Sequence, residues 1–295
     1  MKTGIPIYDI CSLTQQQDDV LISRFAPYLK SHRNLQVAHK HSFYHLVFFT
    51  KGGGSQTIDF QRVPVKPFQI YFMIPGQVHN WAFESDVDGY IINFSVPFFQ
   101  SFLLKANYLE DFPFFTGVIA DSVIDIPTDV QDGIISLFEQ LMGETEETKP
   151  LEMDMIRAIM LQLFISIARL GFNTVNKTIP SYNYTLLRSF QKLIEKNYTA
   201  IKLPKQYAEL LYITPNHLNA LCNDVLGIPA GEVIRNRIAL EAKRLLINND
   251  LTIFEIANQL NFADNSYFSR FFKKQTGLTP EEFRKITISH EHVIK

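Results

Sequence analysis

The spacing of apolar positions changes twice along the chain. From Leu35 to about Ile126, short runs of aromatic and β-branched residues alternate with turn signals. They predict strands at His45–Thr50, Ser55–Phe60, Phe68–Ile74, Asn80–Phe83, Gly89–Phe94 and Val123–Ile126. The breaks are Gly52-Gly53-Gly54, Val63-Pro64, Pro75-Gly76 and Asp88-Gly89. Many short strands at this spacing predict a sandwich or a barrel. The triple glycine reads as a hairpin and not as a phosphate loop, because strand follows it and no G-K-[ST] is present. Residues 1–34, with the polar run QQQDD, fit an edge strand or arm and carry no motif.

From Asp129 to Gly171 the period is helical. Ile134, Leu137, Phe138 and Leu141 form one apolar stripe over a helix at about 130–143. Pro150 opens a second helix, 151–171, that is apolar on more than one face through Met155, Ile156, Ile159, Met160, Leu163, Phe164 and Ile167. One face can cover the strands and the excess can meet a second subunit; two helices packed only on their own strands is the plainer alternative. The polar stretch FNTVNKTIPSYN then breaks the period and reads as a linker.

From Tyr184 the pattern is helical to the end and repeats itself. Aligning Gly227 with Gly277 gives an offset of 50 residues that matches Leu218 with Phe268, Leu221 with Phe271 and Thr214 with Asp264. Each copy reads as helix, tight turn, helix. In the second copy Thr252 and Glu255 make a capping box, Asp264 caps the next helix, Gly277 ends it, and Thr279-Pro280-Glu281-Glu282 opens another. The polar stripe of that capped helix is Ser266, Ser269, Arg270 and Lys273, with Asn265 and Lys274 beside it. The opposite stripe is Phe268 and Phe271, with Tyr267 and Phe272 at its margins. A helix held by aromatics that turns serine, arginine and lysine outward suits reading of the major groove, where side chains reach base edges while Arg or Lys meets phosphate.

The first copy exposes Asn216, Asn219, Ala220 and Asn223, with His217 nearby, over buried Leu218, Leu221, Cys222 and Val225. Asparagine can read adenine, but the phosphate-clamping cations are missing, so the second copy is expected to carry more affinity. Between the copies, 231–248 reads as one helix, long enough to set two recognition helices in neighbouring grooves. On it Arg235, Arg237, Lys243 and Arg244 are backbone contacts or a solvated face.

Composition fits this picture. With 46% apolar residues and 25 Phe the chain can fill real cores, and its length suits two domains. Net charge is −2, yet from 181 onward fifteen basic residues face eleven acidic ones, while the first 180 residues are net acidic. Such asymmetry is a hint of a nucleic-acid module joined to something else. The start MKTGIPIYDI lacks the apolar stretch of a signal peptide, and Arg157, Gln162 and Arg169 interrupt the most apolar helix. No membrane span and a cytoplasmic location are expected. Cys11 and Cys222 form no metal or disulfide framework.

The residue string IA-x(3)-N-F-x-D-x-SYFSR-x-FKK-x(2)-G-x-TP-x(2)-FR, 256–284, closely resembles the arabinose-regulator (AraC) family of bacterial transcription factors. Asn261 stands where the family usually has Gly, and Asn tolerates the left-handed backbone such a turn needs. In the strand region, HKHSFYHLVFFTKG followed by PGQVHNW resembles the small-barrel cupin motif, in which H-x-H, an acidic residue and a later His hold a metal. His45 takes the usual acidic position, and the second motif is one residue short. The same strings occur in the family's sensor domains, which mostly carry no catalytic metal.

His39, His41, His45 and His79 are therefore read as pocket-lining or structural groups ahead of metal ligands, and no cofactor is expected. An iron cupin dioxygenase using these histidines is the enzyme alternative. Either Val47, Phe49, Tyr71 and Met73 or Leu46, Phe48, Ile70 and Phe72 face inward, depending on register. The pocket assigned from sequence comprises His39, His41, His45, Phe48, Phe72, His79 and Trp81, suited to a small apolar or aromatic effector with a polar head, unless these residues simply fill the barrel.

The resemblance implies an α+β two-domain chain: a cupin-like sensor and dimerisation domain at 1–172, a linker at 173–183 and a double helix-turn-helix domain at 184–287. It implies a non-enzymatic, homodimeric regulator of double-stranded DNA, dimerising through the helices at 130–143 and 151–171.

Overall fold

The computed structural model describes every residue except 1–4, 14–18, 100–101, 103–107, 147–148, 176–180, 248–250 and 292–295. Among the described residues the chain divides into two units, Pro6–Thr174 and Val175–Lys295, with Ile5 grouped with the second.

The first unit is strand-rich. Its elements run β1 (Ile7–Tyr8), β2 (Val20–Arg24), α1 (Phe25–Ser31), β3 (His39–His41), β4 (Tyr44–Lys51), β5 (Gly54–Ile58), β6 (Gln61–Pro64), β7 (Gln69–Met73), β8 (Val78–Phe83), β9 (Asp88–Phe94), α2 (Ile119–Ser122), β10 (Val123–Asp125), α3 (Thr128–Glu146) and α4 (Glu152–Val175). They make two five-stranded sheets, in the orders β1-β3-β8-β5-β6 and β10-β7-β4-β9-β2. Because β4 and β5 belong to different sheets, Gly52-Gly53-Gly54 is a crossover between them and not the expected hairpin. Gly54 is bound to that path: at φ +98, an added Cβ would meet the Ala82 carbonyl oxygen at 2.4 Å. The expected break at Val63-Pro64 lies inside β6, which pairs with β5 alone; an edge strand tolerates the missing proline N–H.

Alternation along β4 and β7 sends successive side chains to opposite faces. Val47, Phe49, Tyr71 and Met73 go between the two sheets, meeting Ile58 and Trp81 of the other sheet together with Phe25, Phe43 and Ile91. Leu46, Phe48, Ile70 and Phe72 go the other way, onto α3 and α4, into a core with Ile134, Phe138, Met160 and Phe164. Phe48 stacks on Phe138 at 5.3 Å and Phe72 on Phe114 at 3.9 Å. The central sheet is thus covered on both faces, which is why both sets of residues are apolar. On α4 the residues Ile156, Ile159, Met160, Leu163, Phe164 and Ile167 are all buried in this core. Of the expected apolar excess, Met155 is exposed, with Leu151 and Met153 at the same end.

The second unit is helical: α5 (Ser181–Asn197), α6 (Pro204–Leu210), α7 (Pro215–Leu226), α8 (Ala230–Leu246), α9 (Ile253–Gln259), α10 (Asn265–Thr276) and α11 (Pro280–Glu291). Helix therefore enters both ends of the expected linker, and the middle of that segment lies outside the described residues. One core joins Phe190, Tyr207, Leu218, Cys222, Ile234, Ile238, Ile256, Phe268 and Phe272. Arg237 on α8 reaches inward, with its Nε 2.8 Å from Glu195, its Nη1 3.0 Å from Glu241, and its guanidinium 4.0 Å above the Tyr198 ring. Arg244 is likewise buried and lies against Glu241. Those two cations brace the unit, so the four-residue basic face expected on α8 is reduced. No described helix is long and apolar enough to cross a membrane.

Candidate nucleic-acid interface and histidine cluster

Local chemistry builds the two helix-turn-helix motifs. Thr252 and Glu255 form the reciprocal capping box at the start of α9. The chain leaves α9 through Asn261 at φ +53, the left-handed turn that Asn accommodates. The Tyr267 N–H then donates to the Asp264 carboxylate, capping α10, and Gly277 closes that helix at φ +81. The first motif follows the same plan with Tyr212 at φ +56, the His217 N–H donating to Thr214, and Gly227 at φ +70. Its turn is one residue shorter, so Tyr212 matches Asn261 at an offset of 49 while the recognition helices match at 50.

On α10, Phe268 and Phe272 are the fully buried anchors and Phe271 is only half buried, so Phe272 and not Phe271 lies at the centre of the inner stripe. Asn265, Ser266, Arg270, Lys273 and Lys274 are exposed and Ser269 is half-exposed. Lys273 and Lys274 also sit in the last turn, where cations favour the helix dipole. On α7, Asn216, His217, Asn219, Ala220 and Asn223 are exposed over buried Leu218, Leu221 and Cys222. Asn219 is also engaged within the fold, because its side-chain oxygen accepts the Ala230 N–H at 3.1 Å and so satisfies a free donor at the start of α8.

Two further residues hold the motifs together; Arg284 closes the string quoted above, yet the sequence shows the partners of neither. The Lys202 Nζ donates to the Asn261 carbonyl and lies 3.7 Å above the Phe262 ring, joining the α5–α6 loop to the second motif's turn. Arg284 on α11 donates to the carbonyl of Leu246, 3.1 Å away at the end of α8, and to that of Leu251, 2.7 Å away just before α9. The same Leu246 carbonyl would otherwise be one of the unpaired acceptors of a helix terminus.

In the strand-rich unit the four histidines converge. His39 on β3 pairs directly with His79 on the antiparallel neighbour β8, and His41 lies two residues along on the same face. Ring centroids are 4.1 Å apart for His39 and His79, and 4.8 Å for His41 with each of the other two. His45 comes from β4 in the facing sheet, 5.2 Å from His79. All four are at most 2% exposed. Burial pushes His39 down to about 4 and His45 down to about 3, and holds His41 and His79 well below the ordinary imidazole value, so every ring is neutral at pH 7.

Their hydrogen bonding divides them. The Nδ1 of His45 is 2.7 Å from the Asn93 side-chain oxygen and its Nε2 is 2.8 Å from the Tyr71 hydroxyl. Trp81 Nε1–H donates to that same hydroxyl at 3.1 Å. His39 uses Nδ1 on the Val37 carbonyl at 2.8 Å. Its Nε2, and both nitrogens of His41 and of His79, have no hydrogen-bond partner among the described residues. Of the assigned pocket, then, His39, His41, His45, His79 and Trp81 come together between the sheets. Phe48 and Phe72 do not. They stand at odd spacing from His45 and Tyr71, and the strand pleat sends them to the helix-covered face.

A family model described as an AraC-like ligand binding domain matches residues 30–164, and one described as a helix-turn-helix domain matches residues 207–286. YfiF of Bacillus subtilis, an uncharacterized HTH-type transcriptional regulator, is 23% identical over 280 residues, covering 92% of this chain and 86% of that protein. The HTH-type transcriptional activator RhaR of Cronobacter sakazakii is 22% identical over 256 residues, covering 86% of this chain and 88% of that protein. YijO of Escherichia coli, another uncharacterized HTH-type regulator, is 30% identical over 105 residues, 36% of this chain and 37% of that protein. With YijO, YesN and YpdC, the first curated relatives, the chain spans less than half of their length. A ligand-binding module over the strands, a helix-turn-helix module over the helices and regulators aligned along most of the length mean that the chain belongs to the AraC family of transcriptional regulators.

Proposed function

We propose that the chain is an effector-responsive, sequence-specific DNA-binding regulator in which α10 is the principal reader and α7 an auxiliary one. The observation that carries this reading is the exposed face of α10, where Ser266, Arg270 and Lys273 stand over the buried anchors Phe268 and Phe272. A second helix of the same build, α7, presents Asn216, His217 and Asn223 and no cation, which favours base reading over phosphate clamping. The 17 residues of α8 are about 25 Å long. Grooves on one DNA face recur at about 34 Å, so engagement of both helices calls for some bending of the duplex.

The sensor role rests on the match of residues 30–164 to a ligand-binding domain and on the polar cluster set in an otherwise apolar interior. A small molecule taken up between the sheets, in what we read as a cupin-like barrel, would meet His39, His41, His45, His79 and Trp81. Homodimerisation through α3 and α4 would use the outer side of α4, with exposed Met155 and half-buried Leu161 and Ile165. Effector uptake then shifts the population that holds two DNA modules in register.

The test is gel-shift titration of operator fragments found by genome-wide mapping of bound DNA. Arg270→Ala is expected to weaken specific binding by about 1–3 kcal/mol and flatten the salt dependence. Substitution of Asn265 or Ser266 should change base preference more than affinity. Unchanged affinity and salt slope in Arg270→Ala would rule out this face as the reader.

A further inference from the structure

We propose that His39, His41 and His79 form a binding site for one divalent transition-metal ion inside the sensor unit. One ring nitrogen from each lies within 4.8 Å of the others, and all three side chains are buried. Five of their six nitrogens lack a hydrogen-bond partner among the described residues. Leaving a buried polar atom unpaired costs about 1–3 kcal/mol, so unpaired atoms are rare singly, and here one from each of three rings lies close to the others. An ion there gives one nitrogen of each ring a partner.

The surroundings favour a metal over a chance cluster. His39 donates its Nδ1 proton to the Val37 carbonyl, which leaves the lone pair on Nε2 and fixes the ring. Metal-ligating histidines are commonly held in this way by a backbone carbonyl. His41 is stacked on Phe43 at 4.3 Å with an interplanar angle of 11°, so its ring plane is also set. The three residues come from two hydrogen-bonded strands, a rigid base for a site. His45 is not a fourth ligand, because Asn93 and Tyr71 engage both of its nitrogens.

Three neutral imidazoles and no carboxylate select zinc, iron, copper, cobalt or nickel over magnesium and calcium, which require oxygen. Zinc–nitrogen bonds of about 2.1 Å put ligand nitrogens about 3.4 Å apart, a distance reached from this arrangement by small ring rotations. Three protein ligands leave a tetrahedral ion one position for water or an oxygen of a bound molecule.

The test uses the full chain, stripped with a chelator, dialysed and titrated with Zn(II) and separately with Co(II), without DNA or effector. One equivalent of zinc should survive desalting, and cobalt should give the visible absorption of a four- or five-coordinate ion. Imidazole 15N resonances of His39, His41 and His79 should move on zinc binding while that of His45 keeps its hydrogen-bonded position. His41→Ala and His79→Ala should each weaken binding by more than the roughly 10–100-fold typical of substitutions around the ligands. The double variant His290→Ala/His292→Ala, at the chain terminus, should bind as before. Failure to retain an equivalent overturns the proposal, as does loss of binding in the terminal variant or resonance shifts confined to other histidines. The 15N readout on the unaltered protein decides the matter even if a ligand variant does not fold. None of these readouts involves DNA, so their failure would leave the regulator reading standing.

Discussion

At the scale of single residues, the buried histidines make stability depend on pH in a stated direction. In the metal-free protein His39 titrates at about 4 and His45 at about 3, both lowered by burial, while in the unfolded chain they titrate near the ordinary value of about 6.5. Between about pH 6.5 and about pH 4 the unfolded chain takes up protons that the folded chain does not. Stability therefore falls as pH falls through that window, by about 3 kcal/mol for His39 alone at its lower end. Urea midpoints of the stripped protein at about pH 7, 6 and 5 should decline in order; a constant midpoint would contradict the buried, neutral assignment. The same residues show what a sequence hides. The set facing the histidines could be narrowed to two alternatives, because both faces of β4 and β7 are apolar, and the pocket assigned to Phe48 and Phe72 took the wrong parity. Asn219 looked like any exposed polar residue of α7, since its partner Ala230 lies across a turn that only the folded chain brings near.

Elements whose ends are written in local chemistry were legible from the sequence. The caps at Thr252, Thr214 and Asp264, the left-handed Asn261 and the closing Gly227 and Gly277 all depend on neighbours within a few positions. Elements defined by distant partners were legible only in outline, as with the edge strand or arm expected in residues 1–34. β1, β2, β3 and β6 are only two to five residues long, too short for a period, and each exists because another strand accepts its hydrogen bonds. The basic face expected on α8 is smaller for a related reason: Arg237 turns inward because α5 supplies Glu195. Arg284 is the informative substitution at this scale. Its fork ties the last carbonyl of α8, on Leu246, to the Leu251 carbonyl just before α9, so Arg284→Ala should cost about 2 kcal/mol of stability in the helical unit and Arg284→Lys should not restore it. Chemical denaturation followed by far-ultraviolet circular dichroism checks this. An Arg284→Lys variant as stable as the original would mean that charge alone, and not the planar fork, holds the helix end.

Across the whole molecule, the strand-rich and helical units each have their own core, and the chain passes from one to the other through α4 and α5. The central sheet has both faces engaged. Tyr71 touches the histidine side and the adjacent Phe72 packs against Phe114 and Phe164 on the helix side. Adjacent residues of β7 thus contact the histidine side and α4 from opposite faces of one strand. The protein also carries its own optical reporter of that interior. Trp81 is the single tryptophan, 5.2 Å from the His79 ring and bonded to Tyr71, so all indole emission comes from this one place. Copper(II) or nickel(II) seated on the histidines should extinguish that emission, zinc(II) should alter it without extinguishing it, and duplex added alone should leave it nearly untouched. The glow of one side chain would then tell, in a dilute and unlabelled sample, whether an event began between the sheets or on the DNA.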